Sequence, residues 1–240
     1  MRTENTNTAM SWDHPDVKCY EKTISLKIPG YFHLYEMTDH LIAAQLQGEN
    51  FSRDVLIVGA GGGQEIVMLG GRHEAWTFTG IDPSAHMLEI SKSRAESIGI
   101  EERVSLIQGR LEQLSLEDQY DAATCLLVLH FVKGLQQKQE LLQRIGERLK
   151  PGAPFCLASF HADTNTDTFH IQMQAWKSHM LDNGIPLEDW ERFEASIGLQ
   201  SDPVPSSVVQ ELLEQSGFTH ATRYFGSYFI DGWFAIKGLM

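Results

Sequence analysis

The sequence has few cysteines and no long apolar run. Its three cysteines, Cys19, Cys125 and Cys156, lie far apart and form no Cys-x-x-Cys pair, so neither a disulfide framework nor a zinc site is indicated. No apolar stretch approaches the roughly 20 residues that a membrane span requires, and the polar N-terminus contains no signal-peptide core. We therefore expect a cytoplasmic protein without a membrane partner.

Positive charge is also scarce and scattered. Nineteen Lys and Arg stand against 32 Asp and Glu, which gives a formal net charge of −13, and no basic cluster is present. Tight binding of a phosphate backbone needs several basic contacts on one face. The ten histidines show no His-Glu-x-x-His or other ligand spacing. The pattern favours a small-molecule substrate over nucleic acid, and we expect no catalytic metal.

What the sequence does have is a glycine cluster between an apolar run and a helical pattern. Residues 54–69 read DVLIVGAGGGQEIVML, which predicts a strand, a tight loop and a helix. Glycines permit positive φ and close approach of the backbone to a ligand, and the free N–H groups of a helix start favour polar or anionic groups. The G-x-G-x-G spacing departs from the dinucleotide fingerprint, because Gln64 and Ile66 stand where that pattern needs Gly or Ala. We predict a nucleotide or nucleoside site.

Strand and helix patterns alternate around this loop. A leading helix is predicted at residues 31–47, and the later elements are strands 76–81, 104–107, 120–129 and 154–160 with helices 85–98 and 135–149. This order predicts a parallel sheet covered on both faces.

The alternation stops after residue 160. Residues 161–200 hold two helical patterns, 169–181 and 187–195, without a strand signal between them, so we interpret this region as an inserted helical cap. A helix at 205–216 and strands near 221–225 and at 228–237 follow. Only the turn Gly226-Ser227 joins the last two strands, so they must be antiparallel.

The predicted fold is therefore α/β, a Rossmann-like doubly wound sheet of about seven strands whose last strand is antiparallel. The expected parts are an arm with the leading helix (1–50), the core (51–160), a substrate cap (161–204) and a C-terminal helix with the strand hairpin (205–240).

An acidic residue ends the second predicted strand. Asp82 follows the glycine loop by about twenty residues, where a carboxylate can accept hydrogen bonds from both hydroxyls of a bound ribose. The alternative is a helix-capping Asp, and the two roles are compatible. Gly109-Arg110-Leu111 ends the third strand beside this site and could flank an adenine ring.

In this order the features resemble the class I S-adenosylmethionine (SAM)-dependent methyltransferases, over roughly residues 50–160 and 205–237. The resemblance implies SAM as the cofactor. It implies that the methionine part lies against the glycine loop, the ribose against the acid and the adenine against the third-strand exit, through Gly59, Ala60, Gly61, Asp82, Pro83, Met87, Arg110 and Leu111. The acid that this family usually has two positions before the first glycine is Ile57 here, so backbone carbonyls or other side chains must contact the SAM amino group.

The two ends of the chain resemble carboxy-SAM synthases more closely. The similar segments are Ile28-Pro29-Gly30-Tyr31, residues 213–218 and residues 234–237. This resemblance implies a homodimer, with Tyr31 near the cofactor and Arg192 of the cap holding a cofactor carboxylate partly across the dimer interface. A guanidinium pairs both carboxylate oxygens, although Arg192 also fits a solvated helix charge.

Two positions depart from that subfamily. Arg110 and Leu126 stand where it has an aspartate and a strand-four asparagine, so a polar cofactor contact at position 126 has become apolar. The resemblance thus implies a related enzyme that has the same scaffold and cofactor but acts on a different acceptor.

Three residues are candidates for the chemistry. His130 ends the fourth predicted strand and His161 follows the fifth, at the sheet edge where ligands bind, and either could take a proton from a nucleophile. Arg192 is the third. A packed or surface histidine is the alternative, because methyl transfer needs alignment and exclusion of water more than a base. Candidate aromatic residues for the acceptor pocket, or alternatively for the core, are Tyr31, Phe32, Trp176, Trp190 and Phe193.

The leading hypothesis is a SAM-dependent methyltransferase acting on a small molecule. The alternatives are a carboxy-SAM synthase, an NAD(P)-dependent oxidoreductase, a spermidine-synthase-like aminopropyl transferase and a non-catalytic SAM-binding protein. The failed dinucleotide spacing and the terminal hairpin oppose the oxidoreductase, and the lack of an acidic pair after strand four opposes aminopropyl transfer.

Overall fold

The computed structural model describes residues 23–47, 51–164 and 166–239. The strands are β1 (Arg53–Val58), β2 (Trp76–Asp82), β3 (Val104–Gln108), β4 (Ala122–Leu126), β5 (Pro154–Phe160), β6 (Phe218–Ser227) and β7 (Ile230–Lys237). The helices after the short helical stretch at 23–27 are α1 (Tyr31–Leu46), α2 (Gln64–Arg72), α3 (Ala85–Ser97), α4 (Leu135–Glu147), α5 (Asp167–Asp182), α6 (Leu187–Ser196) and α7 (Ser206–Gln215).

The seven strands form one sheet in the order β3-β2-β1-β4-β5-β7-β6. The first five strands are parallel, and β7 pairs antiparallel with both β5 and β6. The prediction of a Rossmann-like sheet with an antiparallel end is confirmed. The chain order reverses between β1 and β4, and in open sheets of this kind ligands bind beyond the carboxyl ends of the strands at that point.

Hydrophobic burial explains the central strands. All five residues of β4 and all seven of β5 are buried, which is typical of parallel strands covered by helices on both faces. On one face the core includes residues of α1, α2 and α3, and on the other it includes residues of α4 and α7. These two layers fix the sheet edge that carries the site.

Local signals begin the helices next to that edge. The hydroxyl of Ser84 accepts a hydrogen bond from Met87 N (3.2 Å) and caps α3. Gly63 precedes α2 with φ 66°, in the left-handed region that favours glycine. The glycine loop therefore turns directly into the first turn of α2.

The fourth strand is shorter than the prediction of 120–129. It ends at Leu126 because Leu127 adopts φ 62°, and a 3₁₀ turn at Leu129–Phe131 follows. The apolar sequence continues past the strand end because Leu127 and Leu129 are themselves buried. Burial without regular alternation cannot mark where such a strand stops.

The hairpin also differs in its bounds. The strand predicted near 221–225 spans Phe218–Ser227, with irregular pairing to β7, and the turn lies at residues 228–229 rather than at Gly226-Ser227.

Helices α5 and α6 correspond to the two helical patterns of the predicted cap. Their aromatic side chains form a cluster with the end of β5 and the β6–β7 turn, where Trp176 lies between Phe193 and Phe229. The indole N–H of Trp176 donates to Lys27 O at 2.6 Å. These two helices are thus fastened to the N-terminal helical stretch and to the sheet edge.

Candidate active site

A cavity of about 800 Å³ lies at the carboxyl ends of β1, β2 and β4. Its wall includes the glycine loop, the first turn of α2, the start of α3, the β3 exit, and residues of α1 and α4. Its size falls within the ordinary range for small-molecule and cofactor sites.

The glycine loop is tied to the end of β2. The main-chain N–H groups of Gly59 and Ala60 both donate to Ile81 O, at 2.8 and 3.1 Å. A Cβ atom on Gly61 would lie 2.9 Å from Asp82 Oδ2 and 3.0 Å from the Met87 side chain. The loop therefore approaches β2 and α3 more closely than a residue with a side chain would allow.

Asp82 organises this region through both carboxylate oxygens. Oδ2 accepts a hydrogen bond from Gly61 N (3.0 Å) and Oδ1 accepts one from Ser84 N (2.9 Å). Both donors are main-chain groups, so the carboxylate is oriented before any ligand arrives, and it lies on the cavity wall. Its predicted roles as a structural cap and as a ligand group are compatible in this geometry.

Arg94 of α3 supports the loop from the other side. Its guanidinium donates to Gly62 O at 2.6 Å and to Gln64 Oε1 at 2.7 Å, and it also lines the cavity. The planar guanidinium of Arg94 thus binds both the glycine loop and the first residue of α2.

Glu65 is a buried acid in the cavity wall. Its side chain lies in the first turn of α2 with 3% exposure, and among the described residues Oε1 has no hydrogen-bond partner. Burial raises the pKa of Glu65 from 4.5 to about 8, against the lowering effects of its own main-chain N–H and of Arg94. An unpaired carboxyl oxygen in such a place is costly and needs an explanation.

Aromatic and aliphatic groups form another part of the wall. Tyr31, Phe32 and Tyr35 of α1 line the cavity together with Leu126 and Leu127. Phe32 is 57% exposed. Leu127 sits in the left-handed region, an unfavourable conformation for a bulky residue that is found disproportionately at functional sites.

The structure brings together most residues that the sequence singles out for the cofactor. The cavity wall includes Tyr31, Gly59, Gly61, Asp82, Pro83, Met87, Arg110, Leu111 and Leu126. Ala60 is fully buried behind the loop, where a Cβ on Gly80 would meet its side chain at 2.7 Å. Ala60 is not among the described residues of the cavity wall.

The three candidates for the chemistry lie elsewhere. Among the described residues that line the cavity, none is His130, His161 or Arg192. His161 Nε2 lies 3.0 Å from Asp231 Oδ2, and the 76% exposed Arg192 side chain pairs with Asp189 on its own helix. His161 thus lies against Asp231 of β7, and Arg192 lies on the surface of α6.

His130 is a buried structural group. Its Nδ1 accepts a hydrogen bond from Phe160 N at 3.2 Å, so the other ring nitrogen carries the proton. Burial, together with nearby Lys138, lowers the pKa of His130 to about 3. Without a free basic nitrogen, this imidazole cannot act as a general base in the described geometry.

The predicted aromatic pocket residues divide in the same way. Tyr31 and Phe32 line the cavity, whereas Trp176, Trp190 and Phe193 belong to the aromatic cluster of the cap helices. No residue of α5 or α6 is among the described residues of the cavity wall.

Several residues of the cavity wall were not predicted from the sequence as site residues, among them Gln64, Glu65, Arg94 and Phe131. Glu65 had one usable signal: an acid in the turn directly after a ligand-binding loop. The sequence could not show that its side chain turns inward, because the amphipathic pattern of a nine-residue helix leaves the first turn ambiguous.

The described residues 23–47, 51–164 and 166–239 contain no group of three or more His, Cys, Asp or Glu that could hold a metal ion. Within the same residues, every helix is too short or too polar to cross a bilayer. Cys125 and Cys156 are buried thiols, and Cys19 lies outside the described residues.

The wall offers the groups that a nucleoside with an amino-acid tail requires. A glycine cradle admits no added Cβ, a carboxylate oriented by main-chain donors stands beside it, and a buried carboxyl oxygen beyond the loop is unpaired. The residues present therefore fit SAM, and comparison with known proteins agrees.

Residues 56–155 match the family described as "Methyltransferase domain". The matched residues begin in β1 and end in β5, so they include the glycine loop, Asp82 and the β3 exit.

Curated methyltransferases are similar to part of this chain. The 2-phytyl-1,4-naphtoquinone methyltransferase of Trichormus variabilis is 32% identical over 152 residues, covering 60% of this chain and 62% of the relative. The ubiquinone biosynthesis O-methyltransferase of Klebsiella pneumoniae is 30% identical over 159 residues, or 63% of each chain. The chain thus spans less than two thirds of the length of these relatives.

The fold has solved counterparts. An O-methyltransferase family 2 protein from Planctomyces limnophilus, in complex with apigenin, superposes with a TM-score of 0.65 at 16% identity, covering 93% of this chain and 62% of that one. At this identity the likeness shows the fold alone, and it extends over the sheet and the C-terminal strands.

Proposed function

We propose that this protein is a SAM-dependent methyltransferase that acts on a small molecule. The observation that carries the proposal is the junction of the glycine loop and Asp82 at the wall of a cavity of about 800 Å³, within the residues that match the methyltransferase-domain family. The position of that cavity at the point where the strand order reverses supports it as well.

Each predicted cofactor residue receives a role in this proposal. The backbone at Gly59, Ala60 and Gly61 cradles the methionine part, and Asp82 accepts hydrogen bonds from the ribose hydroxyls. Pro83 and Met87 lie nearby, while Arg110 and Leu111 flank the adenine. SAM itself supplies an electrophilic methyl group.

The chain's own contribution to the reaction is alignment and exclusion of water. Tyr31, Leu126 and Leu127 form an apolar wall beside the loop, which can hold an acceptor in line with the methyl group. We assign no general base, because His130 is neutral and hydrogen-bonded, and His161 and Arg192 lie outside the cavity wall.

The acceptor in this proposal is a flat aromatic compound carrying a hydroxyl group. Tyr31, Phe32, Tyr35 and Phe131 line the cavity and can stack on such a ring. The names of the relatives, which act on a naphthoquinone and in ubiquinone biosynthesis, support the same class.

Incubation with SAM and a panel of phenols, catechols and reduced quinones tests this function, with the transferred methyl followed by mass spectrometry. We expect methylation of at least one aromatic hydroxyl compound. Methylation of aliphatic amines or carboxylates alone would contradict the proposed acceptor class.

Carboxy-SAM synthesis is the second candidate, supported by the similarity of segments 28–31, 213–218 and 234–237. Mass spectrometry of the nucleoside that co-purifies with the protein separates the two. Plain SAM or S-adenosylhomocysteine (SAH) supports the methyltransferase, whereas a mass larger by one carboxylate supports the synthase.

We also keep the cytoplasmic location and the homodimer as proposals. The homodimer rests on the resemblance through Arg192, and sedimentation velocity of the purified chain tests it. A single species at the monomer mass would contradict it.

A further inference from the structure

We propose that the carboxylate of Glu65 binds the α-ammonium group of the cofactor's amino-acid tail. This inference deepens the proposed function and rests on it. It begins from the unpaired Oε1 atom of Glu65 in the cavity wall.

The position of Glu65 suits a ligand group rather than a packing role. It follows the glycine loop by two residues, with 3% exposure, and faces the same cavity as Asp82. Asp82 lies toward the β3 side of the loop and Glu65 lies on the α2 side. A ligand whose ribose meets Asp82 and whose tail crosses the loop would bring its tail to Glu65.

The chemistry of the tail selects the ammonium. A buried carboxylate oxygen without a partner requires a hydrogen-bond donor, and an ammonium provides three. A sulfonium carries positive charge but has no N–H or O–H, so it cannot satisfy this oxygen. The ammonium is the only donor of the tail that also carries charge.

The groups that face Glu65 favour this pairing. Among the described residues, Arg94 of α3 and Asp82 of β2 are charged neighbours of Glu65, and Cys125 of β4 and Tyr224 of β6 are titratable neighbours. Burial raises the pKa of the Cys125 thiol and of the Tyr224 phenol, so both stay neutral near pH 7. Arg94 already donates to Gly62 O and Gln64 Oε1, which leaves Glu65 Oε1 for the ligand.

Ile57 fits the same picture. Ile57, two positions before the first glycine of the loop, is fully buried and apolar. In our proposal the acidic residue of the site is instead Glu65, which follows the loop. Glu65 therefore supplies a negative charge that the strand itself lacks.

The test compares two ligands that differ in the tail. SAH carries the α-ammonium, and 5′-methylthioadenosine has the same nucleoside without the amino-acid group. Calorimetry gives the dissociation constants of both for the wild-type chain, for Glu65→Gln and for the matched control Glu112→Gln. Glu112 also lines the cavity, but it is exposed and pairs with Arg144 at 3.3 Å.

We expect Glu65→Gln to weaken SAH binding by about tenfold or more, as the loss of a buried charge-assisted pair implies. Binding of methylthioadenosine should change by less than about twofold, since that ligand offers no ammonium. In Glu112→Gln, any effect should fall equally on both ligands. Equal weakening of both ligands in Glu65→Gln, or no change in either, would overturn the inference and leave the proposed function intact.

A measurement on the wild-type chain guards against a variant that fails to fold. Because burial holds the pKa of Glu65 at about 8, pairing with an ammonium at pH 7 should release part of one proton. Titrations in buffers of different ionisation enthalpy measure that release, which should accompany SAH and not methylthioadenosine. Equal proton release with both ligands would overturn the inference, and a folded chain that binds neither would overturn the proposed function with it.

Discussion

Asp82 accepts main-chain hydrogen bonds from Gly61 and Ser84 and, in our proposal, also accepts hydrogen bonds from the ribose hydroxyls. Asp82→Ala should therefore weaken SAH binding by about 1 to 3 kcal/mol, because charge-assisted bonds to the ribose are lost and Gly61 N loses its acceptor. Calorimetry measures the change, with far-ultraviolet circular dichroism to show that the sheet is retained. Unchanged affinity would mean that this acid acts only as a cap for the loop and α3.

Glu65 should make the stability of the ligand-free protein depend on pH. Its pKa is raised from 4.5 to about 8, so the neutral acid favours the folded state fully below pH 4.5, and that contribution is lost as pH rises toward 8. The glutamine in Glu65→Gln does not titrate, so the variant loses no stability in this way. The difference between its free energy of unfolding and that of the wild type should therefore be larger at pH 8 than at pH 5, by at least ~1 kcal/mol.

Urea unfolding of both proteins at the two pH values measures this difference. The same difference at pH 5 and pH 8 would show that Glu65 does not titrate in this range. A variant that is more stable without ligand but weaker for SAH would show that the acid is kept for binding.

Single residues also mark what sequence could and could not reveal. Asp82 was predictable because its distance from the glycine loop is set by one helix and one strand. His130 was predicted as a catalytic candidate because it follows a strand end. That position in the sequence is the same whether the ring faces a ligand or accepts a hydrogen bond from Phe160 N. Only three-dimensional burial separates those two cases.

At the scale of elements, the glycine loop depends on close approach to β2 and α3. Gly61→Ala would place a Cβ 2.9 Å from Asp82 Oδ2 and 3.0 Å from Met87, so Asp82 must rotate away from its main-chain donors. We expect SAH affinity to fall by about tenfold or more, equivalent to about 1.4 kcal/mol.

Gly71→Ala is the matched control for that substitution. Gly71 is an exposed residue near the end of α2, and its added Cβ would meet only Ile98 Cδ1, at 3.9 Å. Alanine should raise the free energy of unfolding by about 0.5 to 1 kcal/mol, since glycine disfavours a helix, and should leave SAH affinity unchanged. Similar losses of affinity in both variants would contradict the assigned role of the loop.

The 3₁₀ turn after β4 is joined to β5 through His130. His130→Ala removes the acceptor of Phe160 N, which should lower the free energy of unfolding by about 1 to 3 kcal/mol without changing SAH affinity. Denaturant unfolding and calorimetry of the variant measure the two effects. If the stability were unchanged and the affinity for SAH were reduced, His130 would have a role in ligand binding and not in stability.

Elements with a strong period were predicted within a few residues, as for α1 and α3. The end of β4 was not, because the conformation of Leu127 is imposed by tertiary packing and has no sequence signal. The hairpin turn was misplaced for a related reason: irregular pairing in β6 shifts the register by an amount that the glycine at 226 does not encode.

At the scale of the whole molecule, alternation of strands and helices was sufficient to predict the parallel part of the sheet, and the short turn between the last two strands predicted its antiparallel end. The relation of the cap to the cavity was not predictable. The aromatic residues of α5 and α6 pack on one another, on β5 and on the N-terminal stretch, and helical spacing is the same for core and pocket aromatics.

The central claim is that the cavity beside Asp82 binds SAM. Calorimetric titration of the full chain with SAH tests it most directly, because SAH fills the same nucleoside and tail positions without donating a methyl group. We expect saturable binding of one SAH per chain. A folded chain that shows no binding of SAH would contradict it.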